Sequence, residues 1–151
     1  MLHGRFGGTS ARPYIEGRIS IPALKIWTDV SFCFDTGADG VLLMPVDSLK
    51  MGINFSDPSH IRKPISGVGS GATAIFLRAI IAFRDDSGDI FTYDVPICAA
   101  DPCDAIKDAP SLLGRSVINR WRITYIGCQS VLDAEVISSD YKIPASKPPA
   151  V

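Results

Sequence analysis

The sequence predicts a mostly β, single-domain protein with one or two short helices, and three observations carry that expectation. First, "YIEGRISI" alternates: Ile15, Gly17, Ile19 and Ile21 fall on one side, and Glu16, Arg18 and Ser20 on the other. "IWTDVSFCF" alternates again through Ile26, Val30, Phe32 and Phe34. Period-two patterns of this kind mark half-buried strands. Second, "AIFLRAIIAF" and "DIFTYDVPIC" flank the turn-forming "RDDSGD" and read as a strand pair. Third, only "VDSLKMG", closed by Gly52, and the end of "SLLGRSVINRW" read as helix, and both are short.

The remaining elements follow in order. "PALK" turns the chain between the first two strands, and "VLLMP" is a short apolar strand. "INFSDPSHIRKP" reads as a surface connection. "ISGVGSGATAIF" reads as a hairpin with a mobile tip, because Gly67, Gly69 and Gly71 permit positive φ. "AADPCDAIKDAP" is a loop, and "RITYIG" and "VLDAEVI" are closing strands. The Gly-, Ser- and Arg-containing residues 1–12 read as a flexible arm, residues 13–137 as the domain, and residues 138–151 as a polar, Pro-rich tail.

A chain of 151 residues is long enough for one domain with a real core. Hydrophobic residues make up 46% and charged residues 21%, which is ordinary for a globular protein. Net charge is −1 and no basic stripe occurs, so neither a nucleic-acid nor a membrane partner is expected. The N-terminal "MLHGRFGGTSARP" has no hydrophobic segment, and no apolar run approaches the roughly 18 residues of a membrane span. A cytoplasmic protein is expected. Cys33, Cys98, Cys103 and Cys128 lack the spacing and His companions of a zinc site, and are expected as free thiols. No metal and no cofactor is expected.

The chemistry concentrates in "FCFDTGAD". An apolar strand delivers Asp35 into a tight Thr36-Gly37 turn. A carboxylate in that position is unusual for a core strand. One carboxylate alone is a weak catalyst of peptide hydrolysis. Two that share one proton are strong, because like charges about 3 Å apart cannot both ionise, so one serves as acid and the other as base. The only literal second candidate is Asp86-Ser87-Gly88. It follows Phe83-Arg84-Asp85 rather than an apolar strand end, and reads as an ordinary turn. The second carboxylate is therefore expected from another copy of the chain, with the two Asp35 residues meeting across a two-fold axis. "GVGSG" is not a phosphate loop, since no Lys-Ser/Thr follows it.

Three motifs in order resemble the retropepsin-like (retroviral-type) aspartic proteases. "FCFDTGADGVLLMP" resembles the family's catalytic loop and following strand. "ISGVGSGATAIF" resembles its glycine-rich flap, and "SLLGRSVINRW" its apolar-apolar-Gly element followed by Arg and a short helix. "RPYIEGRISI" resembles the lead-in strand, so the likeness spans 13–137. It implies a closed, barrel-like acid-protease fold with a flap hairpin, active as a homodimer that cleaves peptide or protein substrates.

The resemblance also implies residue roles. Asp35 is the catalytic aspartate. Thr36 hydrogen-bonds across the dimer, Gly37 accepts from the substrate backbone, and Ala38 completes the loop. Asp39 contacts substrate backbone and pairs with Arg115. Gly67, Val68 and Gly69 form the flap tip. Leu112, Leu113 and Gly114 support the catalytic loop. The chain departs from the viral pattern in its longer connection before the flap, one extra flap residue and the tail. Substrate is expected as an extended segment of about seven residues, paired as a strand, with apolar side chains preferred around the cut.

Where other aspartic proteases carry Ser or Thr after Asp-Thr-Gly, this chain carries Ala38. A hydroxyl there donates to the ionised carboxylate and lowers its pKa. Without it, a pH optimum nearer about 5–6 than 3–4 is expected. Two rival readings are a dimeric peptide-binding module of the same fold that does not cut, and a precursor that needs trimming.

Overall fold

The computed structural model describes residues 1–67 and 72–146. The strands are β1 (Leu2–His3), β2 (Arg5–Gly7), β3 (Arg12–Ile21), β4 (Ile26–Phe34) and β5 (Val41–Leu43). After helix α1 (Pro45–Met51) come β6 (Ile61–Pro64), β7 (Thr73–Arg84), β8 (Ile90–Ala100) and β9 (Leu112–Leu113). Helix α2 (Arg115–Ile118) precedes β10 (Trp121–Ile126), β11 (Val131–Val136) and β12 (Tyr141–Ile143).

Six strands close on themselves. Going round, β8 pairs with β5, β5 with β9, β9 with β4, β4 with β3, β3 with β7, and β7 with β8 again. Closure removes the exposed sheet edges these strands would otherwise present. The alternation read from the sequence supplies the filling. Ile15, Ile19 and Ile21 of β3, Val30 and Phe32 of β4, and Ile75, Ala79, Ile81 and Phe83 of β7 are all buried in one cluster. Phe83 packs edge-on to Trp121 at 5.0 Å between ring centroids and to Tyr93 at 6.0 Å. A second, three-stranded sheet in the order β1-β11-β10 flanks the barrel.

Both helices are short and stop for visible reasons. α1 begins with Pro45 in its first turn, where a missing N–H costs nothing. It ends at Gly52, whose φ of 82° is a left-handed cap. No helix among the described residues is long and apolar enough to cross a membrane.

The structure differs from the sequence reading in three places. The N-terminal residues are not a loose arm. Leu2 is 2% exposed and pairs with Ala134, while Arg5–Gly7 pairs with Arg12–Tyr14. One buried leucine and two very short ladders hold the segment, and neither leaves a periodic trace in so short a stretch. The tail is also partly ordered: Tyr141–Ile143 pairs with Ile90–Thr92 of β8, and Asp140 accepts the Asp94 N–H at 2.7 Å. The "surface connection" ends in a strand, since Ile61–Pro64 forms β6 and pairs with β7. All four cysteines are free.

Candidate active site

β4 ends at Phe34, and the chain turns at Asp35. The turn is fixed by its own hydrogen bonds. The Gly37 N–H donates to Asp35 Oδ1 at 2.8 Å, and the Ala38 N–H donates to the Asp35 carbonyl at 3.3 Å. An Asp side chain that accepts from a backbone N–H two residues on is a self-contained turn former. Here it also sets the direction of the carboxylate. Asp35 is half-buried, whereas Thr36 and Gly37 are exposed.

β9 braces this loop from behind. It runs parallel to β4, with Cys33 opposite Leu112 and Phe34 opposite Leu113, and antiparallel to β5 through Leu42. The Asp35 N–H donates to the Leu113 carbonyl at 3.1 Å. The next residue, Gly114, lies so close to the loop that a Cβ on it would sit 2.6 Å from the Ala38 carbonyl oxygen and closer still to that of Gly40. Only glycine fits there. Its neighbours then stitch the two segments together. The Arg115 N–H donates to the Ala38 carbonyl at 2.9 Å, and the Ser116 N–H to the Asp39 carbonyl at 2.9 Å.

The Arg115 side chain adds a further tie. Its Nη1 donates to the Thr36 carbonyl at 2.6 Å, and its Nη2 pairs with the Asp39 carboxylate. Asp39 is otherwise open to solvent, with 95% of its side chain exposed.

An open groove of about 390 Å³ runs over this loop. Asp35, Gly37, Ala38 and Asp39 form one side, and Pro64, Ile65, Ser66 and Gly67 of the β6–β7 hairpin form another. Gly40, Val41, Leu42, Cys98 and Leu112 complete the lining. The sheet register explains the apolar part. Cys98, Leu42, Leu112 and Cys33 are successive partners across β8, β5, β9 and β4. They share one sheet face, while Leu43 and Ile97 turn inward to the core. Burial pushes the Cys33 and Cys98 thiols up, out of the range of reactive thiolates.

The structure thus brings Asp35, Thr36, Gly37, Ala38, Asp39, Leu112, Leu113, Gly114, Arg115 and Gly67 into one neighbourhood. Val68 and Gly69 lie outside the described residues. Asp86-Ser87-Gly88 lies away from the groove, in the β7–β8 turn, where Asp85 Oδ1 accepts the Ser87 N–H and Asp86 binds the N-terminal amino group. A larger concavity of about 490 Å³ lies beside β3 and β7, lined by Arg18, Asp29, Phe83 and Arg84 among others. Its Arg18 and Asp29 neutralise each other through two hydrogen bonds of 2.7 and 3.1 Å. None of the candidate site residues read from the sequence lines it.

Sequence reasoning missed two groups. Cys98 was not connected to the groove, because its place depends on the β5–β8 register. Asp47 and Ser111 form a buried hydrogen-bonded pair behind β9. A signal existed for it: two polar residues inside otherwise apolar stretches, "MPVDSL" and "PSLLG".

No protein-family model matches the sequence, and no curated protein matches it significantly. Among solved structures, the chain is similar to a retropepsin-like aspartic protease from Rickettsia conorii. The TM-score is 0.56 and the identity 17%, over 85% of this chain and 86% of that one. A likeness at that identity speaks for the fold alone. The mostly β, single-domain chain, with its closed six-strand barrel and two short helices, has a retropepsin-like fold.

Proposed function

We propose that this protein is an aspartic endopeptidase, built as a homodimer in which Asp35 and Asp35 of the partner subunit hold one water between them. The observation that carries this reading is the braced Asp35 loop. Its carboxylate is oriented by the Gly37 N–H and lies at an open, mostly apolar groove. The fold supports it independently. The need for a second copy follows from the groove's charges. Asp39 is the other carboxylate among its described lining residues, and it is committed to Arg115. Thr36 and Gly37 are exposed beside Asp35, where a two-fold partner would meet them.

The chemistry is acid–base catalysis by a shared-proton pair. The ionised Asp35 takes a proton from the water as its oxygen attacks the scissile carbonyl carbon. The protonated partner aspartate hydrogen-bonds to the carbonyl oxygen and transfers its proton there, which gives a gem-diol. The C–N bond then breaks as a proton passes to the leaving nitrogen, releasing a carboxylic acid and an amine. Apolar residues of the groove floor favour apolar substrate side chains, and the exposed strand-like hairpin wall suits an extended peptide.

The test compares wild type with Asp35→Asn on a proteome-derived peptide mixture from pH 3 to 8, with cleavage read by mass spectrometry. Cleavage by wild type alone, with specific activity that falls on dilution, is expected. Absence of cleavage by a dimeric wild type that still binds peptides would favour a binding module. Cleavage that appears only after terminal trimming would favour a precursor.

A further inference from the structure

Asp47 and Ser111 take no part in the chemistry above, yet they make the most deeply buried side-chain pair around the site. Asp47 of α1 is 6% exposed and Ser111 is fully buried. Ser111 Oγ donates to Asp47 Oδ2 at 2.6 Å and accepts the Met44 N–H at 2.9 Å. Lys50 Nζ donates to Asp47 Oδ1 at 3.3 Å and to the Asp29 carbonyl at 3.1 Å. A carboxylate this deep is tolerated only when its oxygens are satisfied, and here both are.

The main chain of the same serine faces the catalytic strand. The Ser111 carbonyl accepts the Cys33 N–H at 2.8 Å, and two residues on the Leu113 carbonyl accepts the Asp35 N–H at 3.1 Å. The strand between these contacts, β9, is two residues long. A two-residue ladder contributes too little to fix its own register, so its ends must be anchored elsewhere. Gly114 and Arg115 anchor the far end against the loop. At the near end, the Ser111 hydroxyl locks β9 to α1 through Asp47.

We propose that Asp47 and Ser111 are positioning residues. By pinning the start of β9 to α1, they fix the height of Asp35 relative to the groove. Asp47 thereby acts on the catalytic carboxylate through one side-chain bond and the β9–β4 ladder, without touching substrate. The kinetic part of this proposal rests on the endopeptidase reading; the structural part does not.

The experiment uses the full chain with Ser111→Ala and, as a milder isosteric change, Asp47→Asn. Amide hydrogen exchange is read at Cys33 and Asp35 and along the β7–β8 ladder, together with kcat and KM on a peptide the wild type cleaves. Positioning predicts exchange about tenfold faster at Cys33 and Asp35 with the β7–β8 ladder unchanged. It predicts kcat down by roughly 10- to 100-fold with KM held within about twofold, because misplacement affects the reacting geometry more than peptide binding. Unchanged exchange at Asp35, equal acceleration along the whole barrel, failure of both variants to fold, or a rise in KM at constant kcat would each overturn it. A wild type that cuts nothing, alongside the expected exchange pattern, would overturn the endopeptidase reading and leave the positioning role standing.

Discussion

Arg115 and Asp39 lie 76 positions apart in the sequence, and their side chains form an ion pair at the mouth of the Asp35 loop. The same guanidinium donates to the Thr36 carbonyl. One planar fork therefore spans the loop from its second residue to its fifth. Lysine offers a single ammonium and cannot hold both acceptors in that geometry. Arg115→Lys should lower kcat/KM at least about tenfold. Stability should change by less than about 1 kcal/mol, because the pair is exposed to solvent. Peptide cleavage and a urea midpoint on the same preparation check both halves. A large stability loss with intact activity would mean that the arginine serves the fold alone.

Gly114 gives a sharper steric prediction. A Cβ there meets backbone oxygens of Ala38 and Gly40, and neither can rotate away as a side chain would. Gly114→Ala must push β9 and the loop apart. It should destabilise by about 2–4 kcal/mol and abolish cleavage. Thermal unfolding against wild type measures the first. A variant within about 0.5 kcal/mol of wild type would show that the loop yields more easily than the tight contact implies.

Local pattern carried much of this architecture, and the failures have a common cause. Asp35 was legible because a period-two strand runs straight into Thr-Gly, so the strand end and the turn announce themselves together. Helix α1 was legible through its Gly52 stop. The N-terminal strands were not: β1 has two residues, and its partner Ala134 lies at the other end of the chain. No window of local sequence reports such a contact. The same holds for Cys98, whose place in the groove depends on a parallel pairing with Leu42. Ser111 opens the apolar "SLLG" stretch, and nothing local tells that its hydroxyl lies between Met44 and Asp47, 67 and 64 positions away.

The Asp35 carboxylate receives its one described hydrogen bond from the Gly37 N–H, and Ala38 has no hydroxyl to add a second. A serine at 38 would donate to the ionised form and so favour it. The working range of a shared-proton pair needs one carboxyl ionised, so extra stabilisation of the ion extends that range downward. Ala38→Ser should move the kcat/KM profile toward acid by about one pH unit or less. Profiles of the two proteins from pH 3 to 8 on one peptide check it. A profile that stays in place or moves toward base would remove Ala38 from the account of pH dependence.

His3 makes the fold's stability depend on pH in a direction opposite to the usual carboxylate case. Its Nδ1 lies 2.7 Å from Asp133 and its Nε2 3.2 Å from Asp86, which joins β1, β11 and the β7–β8 turn. The hydrogen bond to Asp133, and then that to Asp86, raise the His3 pKa above its ordinary value of 6.5. A raised pKa means that the folded state holds the proton more tightly than the unfolded one. The stabilisation is fully present below pH 6.5 and disappears as pH rises through the folded-state pKa. His3 is 55% exposed, so solvent screening keeps the effect under about 1 kcal/mol. His3→Gln removes the titrating group. The stability gap between wild type and this variant should therefore be widest below pH 6.5 and should narrow as pH rises beyond it. Urea unfolding of both proteins at a series of pH values reads the gap directly. A gap that widens with pH would mean that neutral His3 is the form the fold prefers, and that the two carboxylates do not act on it as a pair.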